Sequence, residues 1–324
     1  MAPGREVTVL AWGEVRTGLL ATSRSLTGPE AERVLALRPG ERVRVSARPS
    51  PYAVSPDVLT GVDCVLPAAS GARVRGVGTV VARAALTAGR VLQSSARVSA
   101  CAAGPHERTP WGRHLAEPGV VRPWGRLSAE EVAGGWLGGG HRPGELALGA
   151  VAERLVAEVT RHPLLDRRPP FVSRPTRLRW AALREPTGSE PSLAAFTLAE
   201  GGLRTLRLRL PEDLDWEAAA GFGEDLALHD WLLTTLVTLI DRSRLGSVEG
   251  PRALPVLRLA VDHLLHLWMP AARVDPALAP LWRPLEEAPG FSRQWQALAQ
   301  RIRDQMALLA VAHLTGRPMT GSGG

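Results

Sequence analysis

The segment Leu226–Ile240 reads LALHDWLLTTLVTLI and carries leucine on nearly every side of a helix drawn through it. A helix apolar all round has to be buried all round, so the rest of the chain must supply layers that enclose it. The helix is expected to open at Trp216, with Asp215 placed to cap its first amide groups. Gly221 and Gly223 weaken its first turns and predict a bend there. Two more helices are expected beside it. Val256–Met269 is introduced by Pro255 and stopped by Pro270, and Phe291–Leu314 carries a stripe of Phe291, Trp295, Leu298, Ile302, Met306 and Leu309.

The remaining layers are expected to be β-rich. From Gly40 to Ala100, short β-branched runs alternate with Pro, Gly, Ser and Asp at roughly ten-residue intervals. Val7–Trp12 and Val15–Thr22 read as two opening strands with Gly13 between them, and Thr27-Gly-Pro-Glu30 has the spacing of a capping box for a short helix. A second such box, Ser128-Ala-Glu-Glu131, opens a helix through Trp136, and Leu146–Val159 has amphipathic spacing. Arg177–Leu183 reads as a strand, while Leu193–Glu200 and Leu203–Leu210 flank Gly201-Gly202 as a hairpin. The fold class is therefore α+β: a β-rich N-terminal unit followed by a sheet-and-helix C-terminal unit. The expected divisions are residues 1–115, a helical connection over 116–170, and residues 171–324, with one core fused across both units as the alternative.

All 39 basic residues are arginine, and the charge is uneven along the chain. Residues 1–181 hold 25 Arg against 15 acids, whereas 182–324 hold 14 against 17. In the basic half, Arg42 and Arg44 alternate with Val43 and Val45, and Arg73 and Arg75 flank Val74. Alternation puts each pair on one strand face. That face is either simply solvated or a guanidinium stripe for phosphate, carboxylate or a partner surface. Arg108 and Arg113 lie near Trp111 and Trp124 in a Pro/Gly-rich connection and extend the candidate surface. Between Gly40 and Ala100 the only aromatic is Tyr52, which provides little for nucleic acid bases to stack on.

The usual marks of chemistry are incomplete. Gly76-x-Gly78 lacks the rest of a dinucleotide fingerprint and reads as turns or bulges. GGWLGGGHRPG lacks the ending of a phosphate loop, and no GxSxG elbow occurs. Two cysteines do not make a disulfide framework. His263 and His266, three apart on an expected helix, lack the further ligands a metal needs. No catalytic residue, cofactor or metal is assigned. The densest ionisable cluster is Glu224, Asp225, His229 and Asp230, where Asp225 and His229 are spaced to pair and so to raise the imidazole pKa. It could seat an acid–base catalyst, or it could be a polar helix start. With no leader pattern and no apolar run long enough to span a bilayer, a cytoplasmic location without membrane insertion is expected.

Trp12–Leu20 (WGEVRTGLL), Pro49–Val80 and Phe222–Leu236 (FGEDLALHDWLLTTL) together resemble a conserved hypothetical family of high-GC actinobacteria, encoded in a conserved gene cluster. The resemblance covers nearly the whole chain and carries no catalytic residue. It implies a component that works with neighbouring gene products. The leading expectation, resting on the absence of an assembled catalytic motif and on polar residues spent on arginine, is a non-catalytic subunit that recognises a protein partner. Binding of nucleic acid or another polyanion through the basic N-terminal face is the alternative, and an enzyme seated near Glu224–Asp230 is the third; the oligomeric state is left open.

Overall fold

The computed structural model describes residues 8–101, 116–138, 142–242 and 250–315, together with Gly112 and Gly140. Its strands are β1 (Thr8–Leu19), β2 (Arg44–Ser46), β3 (Tyr52–Val54), β4 (Val58–Val65), β5 (Arg75–Thr87), β6 (Val91–Cys101), β7 (Val120–Trp124), β8 (Thr176–Glu185), β9 (Ser192–Leu198) and β10 (Leu203–Pro211). Its helices are α1 (Gly28–Leu35), α2 (Ala129–Leu137), α3 (Leu148–Thr160), α4 (Trp216–Arg242), α5 (Gly250–His263), α6 (Trp282–Glu287) and α7 (Phe291–Thr315). This is an α+β fold.

All ten strands join one mixed sheet in the order β2-β3-β5-β7-β6-β1-β8-β10-β9, with β4 also beside β5. Strand β1 pairs antiparallel with β6 on one side and with β8 on the other. The sheet therefore continues from the N-terminal residues into those beyond 171, and neither expected division interrupts it. Alternation along the strands sends Leu10, Trp12, Ala84 and Ala96 to one face, where α1, α2 and α3 cover them. Val15, Trp180, Leu206 and Leu208 point to the other face, under α4 and the helices beyond it.

Helix α4 is enclosed as its composition demands: every residue from Phe222 to Leu233 is buried. The first capping box forms, with the Glu30 carboxylate accepting from the Thr27 amide at 2.9 Å, and Ser128 caps the later helix, its Oγ accepting from the Glu131 amide at 3.2 Å. The hairpin around Gly201-Gly202 forms as β9 and β10.

Three expectations change. Gly13 does not separate two strands. It lies inside β1, where a Cβ would come within 2.7 Å of Trp180 Nε1, and on the other side of that indole a Cβ at Gly223 would come within 2.9 Å of Cδ1. The two glycines let β1 and α4 close on Trp180. Gly76 and Gly78 likewise sit in regular strand and not in a turn or bulge: β5 and β6 diverge at one end, and β7 enters between them against the bare Gly78 backbone. Helix α5 ends at His263, so His266 falls in the separate turn Leu265–Leu267 and the two histidines share no helical face.

Candidate functional site: a polar slot between the sheet and the buried helix

On the face toward α4, the β5–β6 half of the sheet is polar. Arg83 pairs across with Ser95, Ala85 with Gln93 and Val81 with Arg97, so Arg83, Gln93, Ser95 and Arg97 project to the same side. Arg83 donates to both oxygens of Glu224 at 2.8 Å, and Ser95 donates to the same carboxylate. Arg83 also reaches Glu217, which Arg97 binds from its other side. Gln93 donates to the Glu224 carbonyl at 2.8 Å. Burial opposes the charge on Arg83, but Glu224 and Glu217 outweigh it and hold the guanidinium well above its usual range. At Glu217, burial pushes the carboxyl up, yet Arg83 and Arg97 prevail and hold it below the ordinary value.

The four ionisable residues of α4 point in different directions and do not make one centre. Glu224 faces the sheet as above. Asp225 Oδ2 accepts from the Ala271 amide at 2.8 Å and from Trp282 Nε1 at 3.1 Å, so it anchors the segment entering α6. Asp230 accepts from Arg204 on β10 at 2.8 Å. Burial raises the pKa of both aspartates.

His229 is clamped. Its Nε2 accepts from the Met269 amide at 3.2 Å, which leaves the proton on Nδ1, donated to the Asp225 carbonyl at 2.7 Å. Trp268 and Trp282 meet the ring edge-on. Pairing with Asp225 at this spacing predicts a raised imidazole pKa. Burial dominates instead and lowers it, against the pull of that carboxylate. A neutral ring with both nitrogens committed has no position from which to take a substrate proton.

Arg42, Arg44, Arg73 and Arg75 are exposed, but they do not form a stripe. Arg44 pairs with Val54 and Val54 with Ala85, whereas Arg75 starts the same β5 strand ten residues earlier. At about 3.3 Å per residue the two sites stand roughly 33 Å apart along the sheet. Arg75 is held by Asp63 at 2.6 Å and lies 5.0 Å over the Trp124 ring. Arg42 and Arg73 precede their strands on connecting segments. Arg108 and Arg113 lie outside the described residues.

Arg44 instead overlooks a cavity of about 540 Å³, floored by Arg83 and Gln93 and walled by α4 and the segment around Arg273. Tyr52 of β3 lines it, with the Arg273 guanidinium 4.1 Å over its ring. A second cavity of about 690 Å³, beside Arg97 and Trp216, shares Glu217 with the first. Sequence reasoning located the α4 acids but missed Tyr52, Arg83, Gln93, Arg97, Glu217 and Arg273 as their surroundings. A signal was present: Gln93, Ser95 and Arg97 alternate in VLQSSARV, and Arg83 interrupts an otherwise small and apolar strand.

Among the described residues no three His, Cys, Asp or Glu side chains gather as a metal site, and no helix is long and apolar enough to cross a membrane. Comparison with protein-family models, with curated proteins and with solved structures finds no match.

Proposed function

We propose that this chain is a non-catalytic interaction subunit, and that a protein partner joins it by adding an extended segment to the outer edge of β9, which pairs with no strand among the described residues. The observation that carries the reading is the contrast between the edges of the sheet. Edge β2 is three residues long, contains Arg44 and runs toward Arg48-Pro49, features that discourage further pairing. Edge β4 contains Asp63, and the segment Gly144–Leu146 hydrogen-bonds to its end at Val65. Edge β9 reads SLAAFTL, has no charge and no proline, and leaves Ala194, Ala195, Thr197 and Leu198 exposed. One register shift, at Ala194, is its only irregularity, and it leaves Ala195–Leu198 as a regular run. Strand addition at such an edge takes affinity from backbone hydrogen bonds and specificity from alternate side chains. The clamped His229 supports the same reading over an acid–base catalyst, and the separation of Arg44 from Arg75 weighs against a single polyanion track.

Native mass spectrometry of the protein purified from its own host tests this. The expected result is a defined hetero-complex that the double variant Ala195→Lys/Leu198→Lys dissociates while leaving the circular dichroism spectrum and Tm of the isolated chain unchanged. A consistently partner-free chain, or a complex indifferent to the two lysines, would refute the proposal.

A further inference from the structure

The slot beside Arg44 has the properties of a small-molecule site, at the end of the sheet opposite β9 and independent of what binds there. Its volume of about 540 Å³ falls within the range usual for ligand pockets. Gly221 of α4 lines it, and a Cβ at that position would meet no atom within 4 Å. Glycine inside a helix costs stability, and at Gly223 the contact with Trp180 accounts for it. No such contact accounts for Gly221, which keeps the wall of the slot open.

Unused donors gather on one side. Arg44 makes no hydrogen bond or close ion pair among the described residues, although its charge acts on Glu217 from farther off, and the Tyr52 hydroxyl has no hydrogen-bond partner there either. Burial, reinforced by the charge of Glu224, raises the Tyr52 pKa, so the phenol stays protonated and able to donate. Arg273 donates through its terminal nitrogens to Thr87 and Ser50, while its buried Nε has no partner. A buried donor without a partner calls for a ligand or an ordered water. Unused acceptors stand elsewhere on the lining. Asp215 and Asp275 each spend one carboxylate oxygen on a backbone amide, of Glu217 and Ala277, and leave the other unpaired. The floor between them, Arg83 with Glu224, is internally neutralised.

We propose that this slot binds a small zwitterion of the amino-acid or dipeptide class, its carboxylate taken by Arg44, Tyr52 and Arg273 and its ammonium by Asp215 and Asp275. A ligand of one sign satisfies only one of the two sets. A phosphate or other polyanion would also face the carboxylates of Asp215 and Asp275, and a simple amine would face the arginines.

The test is calorimetric titration and thermal unfolding of the full chain with individual L-amino acids and glycyl dipeptides. Acetate, methylammonium and inorganic phosphate serve as probes of each charge alone. At least one zwitterion should bind saturably and raise the Tm, with no response to the three single-charge probes at the same concentration. Gly221→Phe fills the slot and should abolish binding, whereas Gly221→Ala should retain it. Arg44→Ser, at an exposed position that does not threaten folding, should weaken binding about tenfold or more through loss of a charge-assisted hydrogen bond. The proposal fails if no zwitterion binds at up to about 10 mM, roughly tenfold above a 1 mM Kd. It fails equally if phosphate binds in its place, or if Gly221→Phe and Arg44→Ser leave binding intact.

Discussion

Arg83 occupies a position in β5 where its neighbours are valine and alanine, and it holds two carboxylates of α4 to the sheet. Its side chain and that of Glu224 are both more than nine-tenths buried, so neither charge has water to fall back on. Removing one member of such a pair leaves the other uncompensated, and Arg83→Met is expected to cost about 3–5 kcal/mol. The double variant Arg83→Met/Glu224→Leu should recover most of that loss, because replacing both charges with apolar groups is often near neutral. Urea unfolding midpoints of the two variants measure this. Equal losses would mean that the cost lies in packing and not in the stranded carboxylate. Glu224 stood out in the sequence as part of a charged cluster, but its partner lies 141 residues away, at a separation no helical spacing can indicate.

At the scale of elements, the entry of β7 between β5 and β6 depends on a missing side chain. A Cβ at Gly78 would stand 2.0 Å from the Val120 carbonyl oxygen and 2.8 Å from Val121 Cα, both backbone atoms that cannot rotate away. Gly78→Ala should therefore push β7 off the sheet and destabilise the fold by at least the 1–3 kcal/mol or so typical of overpacking. Faster hydrogen exchange at the Val121 amide, with a lowered Tm, would report it; an unchanged Val121 amide would show that β7 is not held this way. The helices were easier to read than this insertion. Capping residues and apolar periodicity are local, and they located α1, α2, α3 and α7 closely. The glycines of β5 serve a strand more than forty residues away, so their local pattern resembled a turn.

At the scale of the whole molecule, the N-terminal strand lies near the middle of the sheet. Without β1, strand β8 would lose its antiparallel neighbour, and Trp180 would lose the Gly13 side of its enclosure. Residues 171–324 expressed alone are therefore expected not to fold cooperatively, and the full chain should unfold in one transition by calorimetry and circular dichroism. A fragment with native-like near-UV dichroism and a sharp transition of its own would overturn this. The same arrangement leaves the two proposed surfaces at opposite ends: the uncharged β9 edge at one, the slot under β2 and β3 at the other.

The linear chain by itself determined the α+β class, the caps, the hairpin at Gly201-Gly202, and the need to enclose Leu226–Ile240 on all sides. These follow from propensity, hydrophobic period and turn chemistry, which act over a few residues. Only the tertiary structure decided that one sheet serves both halves, that β9 ends it among the described residues, and that Arg44 and Arg75 stand far apart. It also decided that His229 is clamped while Tyr52 and Arg273 face a cavity. Those outcomes depend on which strands pair and in what register, and strand pairing is set by the joint burial of distant segments, not by the residues next to them in the chain.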